Sequence, residues 1–149
     1  MQENSNPQFN HFKLHTQYSI CEGAIKIDDL KEYCKKNKIQ IAGISDTSNL
    51  SGALEFSENL AKVGCQPIIG TQIVFNYKNN LGLIPLIAKN EAGYQKIIEL
   101  SSKSYLFNNT LNLPNCNFDE LLNLNDDVIV LSGSINGLVG KLFNNGKNI

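Results

Sequence analysis

His15, Glu22 and Asp46 are the side chains here whose types and placement are best suited to chemistry. His15 closes the stretch Phe9-Asn10-His11-Phe12-Lys13-Leu14-His15, and Asp46 follows the apolar run Ile41-Ala42-Gly43-Ile44-Ser45. Glu22 lies in the loop between them. One imidazole and two carboxylates suit a divalent ion such as zinc or manganese. A hydrolytic site of that kind needs several such ligands, often around two ions, to activate water and neutralise phosphate oxygens. A histidine alone reads more readily as structural; the case for His15 rests on its company with Asp46 at the end of an adjoining strand. His11 adds little: along an extended chain it stands ~13 Å from His15, so the two share one ion only if the chain bends. Lys13 and Gln72 are further polar tips, Gln72 closing Pro67-Ile68-Ile69-Gly70-Thr71-Gln72. No nucleophile triad and no glycine-rich phosphate loop is visible. Gly133-Ser134-Ile135-Asn136-Gly137 leads into a helix whose N-terminus could hold an anion, although an ordinary connection is the preferred reading.

These tips need elements to position them. Strands are expected over 9–14, 39–45, 67–75, 81–88 and 128–132, from apolar runs bounded by turn residues. Helices are expected over 27–36, 50–62, 91–104, 118–122 and 136–143. In the first, Ile27, Leu30, Tyr33 and Cys34 form one stripe, with Asp28 and Asp29 in the first turn and lysines in the last. In the second, Leu50, Leu54, Ser57 and Ala61 follow helical spacing, with Ser48 or Asn49 as cap and Gly64 beyond the end. Asn90 and Asn117 are expected caps of the third and fourth. Asn79-Asn80 marks a turn, 105–117 a loop, and Pro85 an edge, bulge or bend. Strands alternating with helices imply an α/β fold with a mainly parallel sheet or barrel, whose function sits at the C-terminal strand ends. Lys13, His15, Asp46 and Gln72 fall there.

The bulk properties narrow the classes. The chain has 149 residues, 42% of them hydrophobic, enough for one packed domain or part of a larger one. No apolar run approaches the ~18 residues of a membrane helix. Residues 1–8 read as a flexible leader without signal-peptide order, and the chain is expected in the cytoplasm. The net charge is −1 and all thirteen basic residues are lysine, so no broad nucleic-acid surface and no arginine fork is expected. Cys21, Cys34, Cys65 and Cys116 have no zinc spacing and read as free thiols.

Taken in order, several stretches resemble one family. They are Phe9 to Ser19, Glu22-Gly23-Ala24, Ile44 to Leu50, Gly52-Ala53-Leu54-Glu55-Phe56, Pro67-Ile68-Ile69-Gly70, Ala88 to Tyr94, and Val130-Leu131-Ser132-Gly133. Together they are similar to the PHP (polymerase and histidinol phosphatase) domain that opens the alpha subunit of bacterial DNA polymerase III, a C-family replicative polymerase. The resemblance implies the N-terminal part of a distorted (β/α)7 barrel over residues 9–149, with zinc or manganese at the strand ends in intact members. His15, Glu22 and Asp46 match the family's metal ligands in type. Lys13, Thr47, Gln72 and Leu83 stand where the family has ligands: an ammonium has no lone pair to give, and leucine cannot ligate. The resemblance thus implies a residual, incomplete metal site and no catalysis by this segment. Lys13 is expected to take the cation's place by pairing with Asp46 or Glu22. The implied role is a structural and docking module in DNA replication. Its implied partners are the remainder of the alpha chain and the proofreading exonuclease subunit; DNA, nucleotides and magnesium would be met only by a polymerase core beyond residue 149. The alternative is a stand-alone PHP-family metal-dependent phosphoesterase. An incomplete barrel with open strand edges is expected to be marginally stable or prone to aggregate.

Overall fold

A computed structural model describes residues 9–106 and 113–146; the expected leader, 1–8, lies outside them. The frame begins with α1, Ile27–Asn37, which buries Ile27, Leu30 and Cys34. Tyr33, expected on that stripe, is 59% exposed. Two aspartates open the helix, two lysines close it, and Lys38 ends it in a left-handed conformation (φ 52°). β1, Ile41–Thr47, follows and is buried from Ala42 to Asp46, as a strand covered on both faces should be. α2 spans Ala53–Ala61. Its stripe is displaced from the expected one: Ala53, Phe56 and Leu60 are buried and Leu54 is 71% exposed. It starts late because 48–52 is occupied by a turn. Ser48 has φ 57° and Asn49 Oδ1 accepts the Ser51 N–H rather than capping the helix.

β2, Gln66–Tyr77, runs parallel to β1 in a register that sets Asp46 opposite Thr71 and Thr47 opposite Gln72. β2 then turns directly into β3, Asn80–Ala88, through Lys78 and Asn79. Both turn residues have positive φ (48° and 62°), the requirement of a two-residue hairpin. β3 is therefore antiparallel to β2, so the sheet is mixed, with β3 the reversed strand. Pro85 is not at an edge. β3 pairs with β2 on one side and with β5, Val128–Val130, on the other, in an unbroken register, and the Pro85 carbonyl accepts the Leu131 N–H at 3.0 Å.

α3, Glu91–Leu106, is capped as expected by Asn90, whose Oδ1 accepts the Gly93 N–H at 2.8 Å. β4, Cys116–Asn117, was not expected; it pairs in parallel with Phe75 and Asn76, beyond the end of β1. Residues 118–127 form a 3-10 segment broken at Asn125, not a short α-helix, and Asn117 gives it no side-chain cap. α4 is Leu138–Asn144. The order β1-β2-β3-β5, with β4 beside β2, makes a five-stranded sheet. The expected strand over 9–14 is reduced to a bridge between Leu14 and Ile44. That segment still runs parallel beside β1: Gly43 N–H donates to His11 O (2.8 Å) and Ser45 N–H to Leu14 O (2.8 Å).

Two apolar clusters hold the frame. Ile27, Cys34, Ile44, Phe56 and Leu60 pack between α1, α2 and β1. Ile73, Phe75, Leu86, Ile97 and Leu138 pack between β2, β3, α3 and α4. Leu50 touches both. Each fully buried side chain of this size contributes roughly 1.5–3 kcal/mol.

Candidate functional site

The C-terminal end of β1 delivers Asp46 and Thr47 to the loop 15–23, and the register of β2 delivers Thr71 and Gln72 beside them. The loop is a series of tight turns. Ser19 N–H donates to Thr16 O (2.9 Å), and the Glu22 and Gly23 N–H groups donate to Ser19 O (3.0 and 2.9 Å). Gly23 is required by close approach, because a Cβ there would collide with the Thr16 carbonyl.

Asp46 fastens this loop to the sheet. Its Oδ1 accepts the Thr16 backbone N–H (2.6 Å) and the Ser19 hydroxyl (2.7 Å), and its Oδ2 accepts the Thr16 hydroxyl (2.7 Å). Asp46, Thr16 and Ser19 are all buried. A carboxylate has about four acceptor positions, so three are committed to the chain itself. Ser19 Oγ in turn accepts the Thr47 N–H (3.1 Å) and stands 3.5 Å from His15 Nδ1, at the outer limit of a hydrogen bond. Thr71 Oγ1 donates to the Asp46 carbonyl (2.6 Å), locking the tip from the β2 side. From the same loop, Tyr18 donates its phenolic proton to Glu55 on α2 (2.6 Å). That hydrogen bond, with burial second, holds the Tyr18 hydroxyl above its ordinary pKa.

Glu22, Thr47 and Gln72 form a second group. The Thr47 hydroxyl donates a short hydrogen bond to Glu22, and Gln72 Nε2 donates to Thr47 Oγ1 at 2.8 Å. Gln72 is 4% exposed, and its Oε1 is buried without a partner; among the described residues Ser45 Oγ is in the same condition. Lys13 forms no ion pair with Asp46 or Glu22 among the described residues, contrary to expectation. Asp46 is enclosed by Thr16 and Ser19, and Glu22 is held by Thr47. Lys13 instead lines a small cavity of about 60 Å³ with Gln72, Leu83, Pro85 and the loop 133–137. A slot of about 230 Å³ lies alongside, lined by Glu22, Thr47, Leu83, Leu113, Pro114 and Lys141 among others. A larger cleft, about 540 Å³, is elsewhere, at the other end of β2 between α2 and α3. It is far from the polar tips, so size does not mark the site here.

The structure thus brings His15, Glu22, Asp46, Thr47 and Gln72 into one hydrogen-bonded neighbourhood, with Lys13 and Leu83 on its border. It does not arrange them for a hydrolytic metal ion. No three His, Cys, Asp or Glu side chains are grouped to hold one among the described residues. Asp46 is nearly saturated by donors, Lys13 brings a positive charge, and Leu83 contributes hydrocarbon. The donor set does not fit a divalent ion, and no chemistry through one follows from it. Thr16 and Ser19 are the site residues that strand-end reasoning passed over. Their hydroxyl spacing in a loop was the available signal, and only the fold supplied their acceptor.

An α/β domain with a polar cluster at the tips of β1 and β2 and in the preceding loop is the class that this geometry defines. Residues 11–148 match the PHP domain, so the chain belongs to the PHP-domain family. It is similar to DNA polymerase III subunit alpha of Rickettsia felis, 33% identical over 138 residues that cover 91% of this chain and 11% of that protein. It is likewise similar to the same subunit of Caulobacter vibrioides (35% over 147 residues, 93% of this chain and 13% of the relative). The Haemophilus influenzae subunit is 33% identical over 142 residues, 92% of this chain and 12% of the relative. The chain therefore spans about an eighth of the length of these relatives. It is also similar to a crystal structure from Bifidobacterium adolescentis proposed to be a metal-dependent phosphoesterase, at 19% identity and a TM-score of 0.48, over 66% of this chain and 35% of that one.

Proposed function

We propose that this chain is the PHP segment of a bacterial replicative DNA polymerase alpha subunit and serves it as a structural and docking module. It would not hydrolyse phosphate esters itself. On this reading, templated nucleotide addition belongs to the remainder of the alpha chain. That remainder is the segment's first partner and the proofreading exonuclease subunit its second, in the cytoplasm. DNA, nucleotides and magnesium are engaged by the rest of the alpha chain. His15, Glu22 and Asp46 are residual members of an incomplete metal site.

One observation carries the reading. Asp46, the best placed carboxylate, spends its lone pairs on Thr16 and Ser19 rather than facing a substrate cavity. The likeness to polymerase alpha subunits supports the assignment to replication. Among the described residues no helix is long and apolar enough to cross a membrane.

Two measurements test it. Phosphomonoester and phosphodiester substrates, offered with manganese or zinc, should turn over no faster than the blank. Robust turnover abolished by His15→Ala would defeat the reading. Native mass measurement of the chain mixed with the exonuclease subunit should show a complex; two free species would remove the docking role.

A further inference from the structure

We propose that Lys13, which is exposed in this structure, turns its ammonium into the small cavity beside Gln72 and so completes a single directional hydrogen-bond chain, Lys13→Gln72→Thr47→Glu22. On this proposal the cavity is a primary-ammonium site that the protein's own side chain enters. The inference is about the polar cluster alone and stands whether or not the chain serves a polymerase.

The direction of the chain follows from proton counting. Thr47 has one hydroxyl proton and gives it to Glu22, since a carboxylate only accepts. Thr47 Oγ1 is then free only to accept from Gln72, so the Gln72 group facing it must be the NH2. This fixes the orientation of the Gln72 amide. Gln72 Oε1 must face the other way, into the interior, where it has no partner.

An amide oxygen buried without a donor is unfavourable. The space beside Gln72 is the cavity of about 60 Å³. Lys13 is the cationic side chain lining it among the described residues, and its four-carbon stem can rotate to reach an acceptor there. Ser134 and Asn136 also line the cavity and, like Lys13, are exposed, but neither carries a charge. A cation is favoured at this end because the opposite end is the Glu22 carboxylate. Two neutral groups between opposite charges polarise in the same sense, and each hydrogen bond strengthens the next. The outcome is an ion pair stretched across an amide and a hydroxyl, a self-contained substitute for a bound cation.

The test is site-resolved acylation of lysines on the folded 149-residue chain, read by peptide mass spectrometry. Lys13 should react on the order of tenfold more slowly than Lys36, which lies on the exposed side of α1; that is the factor a charge-assisted hydrogen bond supplies. Equal rates overturn the proposal. In Gln72→Leu the acceptor is gone, and Lys13 should accelerate to the rate of Lys36; protection that persists means another acceptor, and the proposal fails. Gln72→Glu keeps an oxygen toward Lys13 and should keep it protected, so loss of protection there is equally fatal. The wild-type comparison does not depend on whether Gln72→Leu folds. As a further arm, methylammonium should raise the melting temperature of Lys13→Ala more than that of the wild type; an equal effect on both contradicts an ammonium site.

Discussion

Replacing Asp46 by alanine removes one buried carboxylate and leaves three donors to find other acceptors. The Ser19 hydroxyl can rotate toward His15 Nδ1, 3.5 Å away. The Thr16 hydroxyl can turn but has no acceptor assigned beyond Asp46, and it is already the acceptor of the Tyr18 N–H (3.2 Å). The Thr16 backbone N–H cannot move at all, and Thr16 is fully buried. A hydrogen bond to a charged group contributes about 1.5–3 kcal/mol, and an orphaned buried donor costs about 1–3 kcal/mol. Allowing for partial recovery by the two hydroxyls, Asp46→Ala should cost about 3–5 kcal/mol, in the range measured when one partner of a buried charged network is removed. For a chain of this length that is a fall of roughly 10–16 °C in Tm. Asp46→Asn should cost less, because Oδ1 keeps the Thr16 N–H and the Ser19 hydroxyl while the charge is lost and the Thr16 hydroxyl must turn its proton away from the new NH2. The assay is urea unfolding followed by circular dichroism and tyrosine fluorescence, since the chain has no tryptophan. His15→Ala, with one long contact at a half-buried site, should stay within about 1 kcal/mol. If Asp46→Ala left stability unchanged or raised it, as removal of a carboxylate held in readiness for a ligand can do, the structural role argued for Asp46 would be wrong.

Three further outcomes follow from the packing and the charges. Gly23→Ala drives a Cβ into the Thr16 carbonyl and should destabilise by about 2 kcal/mol or more, measured in the same unfolding series; a neutral effect would show that the loop is looser than described. The hydrogen bond from Lys96 (2.7 Å), with one from Asn90 next, holds Asp127 below its ordinary pKa of 3.8. A lowered folded value means stability that is fully present above about pH 4 and is lost as pH falls through the folded pKa. The acid limb of the stability curve should therefore be shallower in Lys96→Met, and an unchanged limb would remove that contribution. Burial pushes the Cys34 and Cys116 thiols up to about 11 and raises Cys65, whereas Cys21 is exposed. A disulfide reagent at pH 8 should titrate one fast thiol in the native chain and all four once it is unfolded; three or four fast native thiols would contradict the burial.

Much of this architecture was legible in the residues. The apolar run of β1, the Asn90 cap of α3 and the positive-φ Gly64 after α2 all act as their types predict. What escaped was set by distant partners. β4 is two residues long and exists only because Phe75 and Asn76 offer it an edge. The 9–14 segment is extended beside β1 but makes too few bonds to count as a strand. The buried stripe of α2 lies one position from the expected one because Ser48 turns left-handed and Asn49 Oδ1 holds the Ser51 N–H, so neither caps the helix where its type predicts. At the site, His15, Glu22 and Asp46 were recognisable as chemistry by type. Their engagements were not, because Thr16 and Asp46 are thirty residues apart and meet only once β1 lies beside the loop. The expected Lys13 ion pair failed for the same reason: nearer neighbours had already claimed both carboxylates.

Metal content is the most direct test of the claim that the strand-tip cluster is held together by its own hydrogen bonds. The chain should be purified without chelator, equilibrated with zinc or manganese, desalted and analysed by plasma mass spectrometry beside His15→Ala and Asp46→Ala. The account predicts well under one equivalent of either ion, unchanged in His15→Ala. A stoichiometric transition metal that disappears in both variants would contradict it.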